Sequence, residues 1–148
     1  MNAEFAEKYG VVLRPLLKAI PKKNGPTAVT FHNIREEHFP WFDQLVRWMG
    51  EKYGFIDPSD GIAGTEANKV LLTFDDGFAS NKEIADQVLQ RHSVRAVFFI
   101  VNDFVGLSGD QAKEFALRAF YPSRQQSLTE AHDAMSVSDL RSLVSRGH

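Results

Sequence analysis

The chain has 148 residues, of which 43% are hydrophobic and 24% are charged, as in a globular domain with one hydrophobic core. Seventeen basic and nineteen acidic side chains give a formal net charge of −2, which predicts no general attraction to nucleic acid. Because the chain has no cysteine, disulfides, thiolate metal ligands and a cysteine nucleophile are excluded. No apolar run reaches about 18 residues, so no transmembrane segment is expected.

Residues 1–24 are predicted to form a helical arm and linker that precede a domain at residues 25–148. Apolar side chains recur at spacings of three and four residues, which places them on one helix face, and Pro15 should kink that helix. Five basic residues against two acidic ones give the arm a local charge of +3. Such a helix is compatible with weak contact with a membrane surface, although packing against the domain is the favoured interpretation.

The first residues do not resemble a secretory signal. Glu4, Glu7 and Lys8 interrupt the region where the apolar part of a signal would lie. A cytoplasmic location is therefore the default expectation.

Strands and helices are predicted to alternate through residues 27–148. Apolar runs indicate strands at 27–32, 70–74 and 95–101, and the run at 70–74 is typical of a strand buried on both faces. Helices are expected at 39–53, after the capping pair Ser80 and Glu83, at 110–120, and after the capping pair Ser136 and Asp139. Gly147 is expected to cap the last helix. A long polar loop is expected at 121–134.

The strand, helix and strand between residues 69 and 101 form a βαβ unit. The two strands of such a unit are parallel. The sequence therefore predicts an α/β fold with parallel strands.

Asp75 and Asp76 directly follow the buried strand. The carboxyl ends of parallel strands form the active-site crevice of α/β folds. Neighbouring side chains of an extended backbone point in different directions, so one carboxylate can bind a cation while the other faces water or substrate. Asp-Gly is also a common turn dipeptide, and acids before a helix can cap it. A functional role is favoured because a strand precedes the pair and a helix follows, which excludes a hairpin.

The sequence TFDDG at residues 73–77 resembles the first motif of the polysaccharide deacetylase family, the NodB-like homology domain. The sequence RAVFFI at 95–100 resembles that family's next strand, and AVTFH at 28–32 resembles the strand that precedes the motif. Residues 136–148 resemble the helix and the Gly-His sequence that lead into the second motif. The resemblance covers residues 27–148.

The resemblance implies a partial, distorted (β/α) barrel, truncated after about three parallel strands. It also implies that Asp75 is the general base and Asp76 a ligand of a divalent metal, usually zinc. Two histidine ligands are expected a few residues beyond His148, which itself matches the lead-in histidine and not a ligand. The groups for substrate contact, the oxyanion donor and the general acid are expected there too.

The implied activity is metal-dependent hydrolytic N-deacetylation of a glycan that contains N-acetylglucosamine. Because residues 1–148 supply only two of the required groups, the 148-residue piece by itself is predicted to be inactive. One alternative is a catalytically inactive remnant or a carbohydrate-binding module on the same scaffold. A phospho-receiver domain fits less well, since receivers place their acidic pair near the start of the domain.

The histidines of residues 1–147 do not form a recognisable metal-ligand motif. His32 ends a predicted strand at the same sheet edge as the acidic pair, but a hydrogen-bonded structural role is favoured for it. His38, His92 and His132 fall in predicted turns or loops without metal-ligand spacing.

Overall fold

A computed structural model describes residues 26–60, 68–121 and 132–148 of the chain. The predicted arm at residues 1–24 and most of the predicted loop at 121–134 lie outside the described residues, so both stay predictions.

The described residues form three strands and four helices. In chain order these are β1 (Thr27–Phe31), α1 (Phe39–Lys52), β2 (Val70–Phe74), α2 (Ala79–Ile84), β3 (Val97–Phe98), α3 (Gly109–Ala119) and α4 (Val137–Ser145). A π-helical turn at Ala85–Leu89 continues α2, and 3-10 turns lie at Glu36–His38, Pro58–Asp60 and Asn102–Phe104. None of the helices in these ranges has both the length and the apolar character required to cross a bilayer.

The three strands form one parallel sheet in the order β1-β2-β3. All five residues of the central strand β2 are buried, as its apolar run predicts. The fold is therefore α/β with parallel strands, as the sequence predicts.

The third strand is shorter than predicted, because only Val97 and Phe98 pair with β2 as a regular strand. The Phe99 N–H still donates to the Phe74 carbonyl of β2 at 2.8 Å, but other backbone N–H groups of the predicted strand have partners outside the sheet. The N–H of Ala96 donates to the His148 ring, and that of Val101 donates to the Asp76 carbonyl. The apolar run predicts a strand here but does not show which acceptors its amides use, and of residues 95–101 only Ala96 is buried.

Aromatic rings join the sheet to α1. Phe31, Phe74 and Phe98 occupy the same register on adjacent strands, so their side chains share one face of the sheet. Phe74 stacks on Phe98 with ring centroids 5.0 Å apart, and its centroid lies 5.9 Å from that of Phe42 on α1. The buried face of α1 consists of Phe39, Phe42, Leu45, Val46 and Met49. This face of the sheet is therefore covered by α1.

One of the two predicted capping boxes is confirmed and the other is wrong. Ser136 accepts from the Asp139 N–H and the Asp139 side chain accepts from the Ser136 N–H. In contrast, α2 begins at Ala79 without a side-chain cap. Ser80 lies inside α2, and its hydroxyl donates to Asn33 at 2.7 Å instead.

Gly147 caps the C-terminal end of α4, as the sequence predicts. Gly147 has φ +83°, its N–H donates to Val144, and the next N–H donates to Leu143. This is the pair of bonds of a Schellman motif. A side chain at Gly147 would also collide with Arg95, since a Cβ there would lie 2.9 Å from the Arg95 Nε.

His148 should make the stability of the fold depend on pH. Burial lowers the pKa of His148 below its ordinary value of 6.5, and the nearby Arg146 and Arg95 guanidinium groups lower it further. The Nδ1 lone pair that accepts the Ala96 N–H at 3.2 Å is available only while the ring nitrogen is unprotonated.

A depressed histidine pKa means that the unfolded chain binds more protons than the folded chain at pH values between the folded and unfolded pKa. The free energy of unfolding should therefore rise as pH increases through this window, up to about 6.5. Urea denaturation at a series of pH values between 5 and 7.5 measures the free energy of unfolding. H148N should flatten the profile, whereas H38N, which changes a half-exposed histidine, should not. If the free energy of unfolding rose equally steeply with pH in wild type and in H148N, the prediction would be wrong.

Candidate active site

The acidic pair lies at the carboxyl end of β2, as the sequence predicts. The Asp75 N–H donates to the Phe31 carbonyl at 2.9 Å, so the hydrogen-bond ladder between β1 and β2 extends one residue past the end of β2. Side chains alternate between the two faces of a sheet. Asp75 and His32 therefore share the face of Thr73 and Thr30, whose hydroxyls are 2.7 Å apart, and not the face covered by α1.

The backbone reverses direction at Asp76 in a tight γ-turn. The Gly77 N–H donates to the Asp75 carbonyl at 3.0 Å, and Asp76 between them has φ +73°. This positive-φ form of the γ-turn is rare and strained. Aspartate tolerates a positive φ better than most residues, but strain of this kind is typical of functional positions. The turn thus places Asp75 at the end of the strand and Asp76 at the centre of the chain reversal.

Contacts from three other segments hold the turn. The Val101 N–H donates to the Asp76 carbonyl at 3.3 Å, and the Met135 N–H donates to the Gly77 carbonyl at 2.8 Å. From α2, the Asn81 Nδ2 donates to the Asp75 carbonyl at 3.2 Å.

Glycine is required at position 77. Gly77 has φ +92°, and a Cβ there would lie 3.4 Å from Ile100. Most L-residues are strained at such a φ, while a Cβ would make only ordinary van der Waals contact with Ile100.

The two carboxylates have different surroundings. Burial raises the pKa of Asp76; the positive charge that His32 can carry lowers it, and the neighbouring Asp75 carboxylate raises it. The Asp75 side chain is about one-third exposed, at 33%. Two adjacent acids in different environments can take different roles.

His32 lies beside the acidic pair, at the sheet edge where the sequence places it; the structural role that the sequence interpretation favoured for it stays a prediction. Its Nε2 lies 3.7 Å from an Asp75 carboxylate oxygen, and its side chain is 58% exposed. This separation suits an ion pair when the ring is protonated. The signal in the sequence was its position one residue past β1, which aligns it with Asp75 one residue past β2.

The other histidines contact other groups. His92 hydrogen-bonds Asp43 at 2.9 Å, His38 lies beside Glu37, and His132 is buried beside Phe78. His148 contacts the backbone just before β3, which is the sheet edge opposite the acidic pair. Across residues 26–60, 68–121 and 132–148, no three histidine or acidic side chains are arranged to hold a metal ion.

The family model for polysaccharide deacetylases matches residues 63–122. This segment contains β2, the acidic pair, α2 and β3. Residues 63–122 are therefore similar to a part of the polysaccharide deacetylase domain. Within that segment, the residues of the TFDDG motif form the end of β2 and the strained turn.

The chain is also similar in fold to a solved structure. The structure of IcaB from Ammonifex degensii matches with a TM-score of 0.60 and 19% sequence identity, over 85% of this chain and 51% of that chain. At this identity the likeness shows the fold alone. The chain thus spans about half the length of the IcaB structure. No curated protein matches the sequence.

Proposed function

We propose that this chain contributes the general base and one metal ligand to a metal-dependent hydrolase that removes acetyl groups from an N-acetylated glycan. One observation carries the proposal. Two carboxylates in different environments lie on a strained turn, Asp75 at its start and Asp76 at its centre. The turn follows a buried parallel strand, within the segment that matches the polysaccharide deacetylase family.

Asp75 is proposed as the general base. It lies on the sheet face that α1 does not cover, and its side chain is partly exposed, so a water molecule can reach it. A carboxylate within hydrogen-bond reach of a water can take a proton from it as the water attacks a carbonyl carbon. Here that carbonyl would belong to an acetamide group, and its C–N bond would break to give acetate and an amine.

Asp76 is proposed as the metal ligand. Its carboxylate is partly buried beside the like charge of Asp75, and a cation would offset both costs of its ionised form. When bound, a divalent ion such as zinc supplies Lewis-acid polarisation and lowers the pKa of a bound water. Catalytic zinc sites use three protein ligands, and two further histidine ligands are proposed to follow residue 148 in a complete protein.

His32 is proposed as the proton donor to the departing amine. Its ring is exposed at the same sheet edge, 3.7 Å from Asp75, and histidine is the commonest general acid near neutral pH. This proposal differs from the expectation that the general acid lies beyond residue 148. The proposed substrate is a glycan that contains N-acetylglucosamine.

Acetate release tests the function. The substrates are N-acetylglucosamine oligomers, and the two samples are the purified 148-residue chain and the product of the complete reading frame that encodes it. The chain alone is expected to release no acetate. The complete product should release acetate, lose activity in a chelator, and regain it when zinc or cobalt is added.

Two outcomes would contradict this proposal. Acetate release by the 148-residue chain would refute its proposed inactivity. A complete product that binds the oligomers without hydrolysing them, at any metal concentration, would favour a carbohydrate-binding module instead.

A further inference from the structure

Asn81 is a fully buried polar residue beside the acidic pair. It lies in the first turn of α2 with 0% exposure, and its Nδ2 donates to the Asp75 carbonyl at 3.2 Å. The same carbonyl accepts the Gly77 N–H at 3.0 Å. Two donors therefore converge on the oxygen from which the strained turn begins.

The orientation of the Asn81 amide is determined by this contact. If the amide were flipped, its Oδ1 would face the Asp75 carbonyl, and two acceptors would meet. In the observed orientation, Oδ1 is buried and has no hydrogen-bond partner among the described residues. A buried unpaired acceptor is unfavourable.

This arrangement does not suit a residue whose role is to stabilise the core. A leucine of similar volume would fill the space without an unpaired oxygen, and Gly77 would still supply one donor to the Asp75 carbonyl. Only the Asn81 amide supplies a second hydrogen-bond donor to the Asp75 carbonyl, at the start of the turn.

We propose that Asn81 is a positioning residue, which holds the γ-turn at Asp76 so that the Asp75 and Asp76 carboxylates point in separate directions. The inference rests on the proposed function for the roles of the two carboxylates. Its contact is with the backbone of Asp75, so Asn81 acts through the turn and does not itself touch substrate or metal.

The test compares N81L with S80A in the 148-residue chain. Ser80 is a matched control because it lies in the same helical turn and its side chain also makes one hydrogen bond, to Asn33, with no bond to the acidic pair. Nuclear magnetic resonance reports the Asp76 backbone carbon shifts, which depend on its positive φ. A titration with Co²⁺ reports the dissociation constant from paramagnetic broadening of the Asp76 signals.

N81L should fold with a melting midpoint close to that of wild type, because it removes an unpaired acceptor along with the donor. Its Asp76 carbon shifts should move away from the positive-φ values, and Co²⁺ should bind about tenfold more weakly. S80A should leave both measurements unchanged. If N81L does not fold, N81S, which shortens the side chain and keeps it polar, should give the same two changes.

Unchanged Asp76 shifts and unchanged Co²⁺ affinity in a folded N81L or N81S would overturn the inference. Failure of the proposed function would look different. If the complete product shows no Co²⁺ binding at Asp76, the metal-ligand role fails, whereas the Asp76 shifts of N81L in the 148-residue chain still decide whether Asn81 holds the turn.

Discussion

D75N is expected to lower the rate of acetate release by the complete product roughly 10³-fold under the proposed function, because an amide cannot accept the proton of the attacking water. The substitution preserves shape, and the backbone N–H of residue 75 still donates to Phe31. The fold should therefore be unchanged. Steady-state kinetics on N-acetylglucosamine oligomers measure the loss, which should fall on kcat because proton transfer belongs to the chemical step.

The D76N substitution tests the proposed role of the metal ligand separately from that of the general base. Its activity should also fall, but a large excess of metal should restore part of it, since one ligand has been weakened and the base remains. The same excess should not restore D75N. D76N should fold at least as stably as wild type, because asparagine tolerates the positive φ and no partly buried charge is left beside Asp75.

Asp103 provides the control for charge alone. It follows β3 toward the same end of the sheet and is exposed. D103N removes the same charge and should retain activity near that of wild type. If D75N retained more than about a tenth of wild-type activity, the assignment of the general base to Asp75 would be wrong.

F74A is expected to have the largest effect on stability, a loss of about 3–5 kcal/mol in the free energy of unfolding. Phe74 is completely buried in the central strand, and its ring contacts those of Phe31, Phe42 and Phe98. No neighbour can collapse into the cavity without moving β1, β3 or α1. The natural stability of a domain is only about 5–15 kcal/mol, so much of the cooperative folding should be lost.

Urea denaturation followed by circular dichroism measures this loss. F99A is the matched control, because Phe99 directly follows β3 and is 58% exposed. It should lose less than about 1 kcal/mol. Similar losses for F74A and F99A would show that the aromatic cluster between the sheet and α1 does not dominate the stability of the fold.

The sequence by itself determined the elements and the location of the site. The continuous apolar run of β2 predicts a strand buried on both faces, and its abrupt end puts Asp75 and Asp76 at the carboxyl edge of the sheet. The capping box at Ser136 and the glycine at 147 could also be predicted. Each of these features depends on residues close together in the chain, whose pattern is visible without the fold.

Only the tertiary structure decided how the acidic pair is held and which groups surround it. His32 meets Asp75 across 43 residues of sequence, and Ser80 bonds Asn33 across 47 and so does not cap its helix. The γ-turn depends on amides from Val101 and Met135 and on a side chain from α2. Local pattern identifies which residues are buried or polar. It does not identify their hydrogen-bond partners, because those are chosen when distant segments pack together.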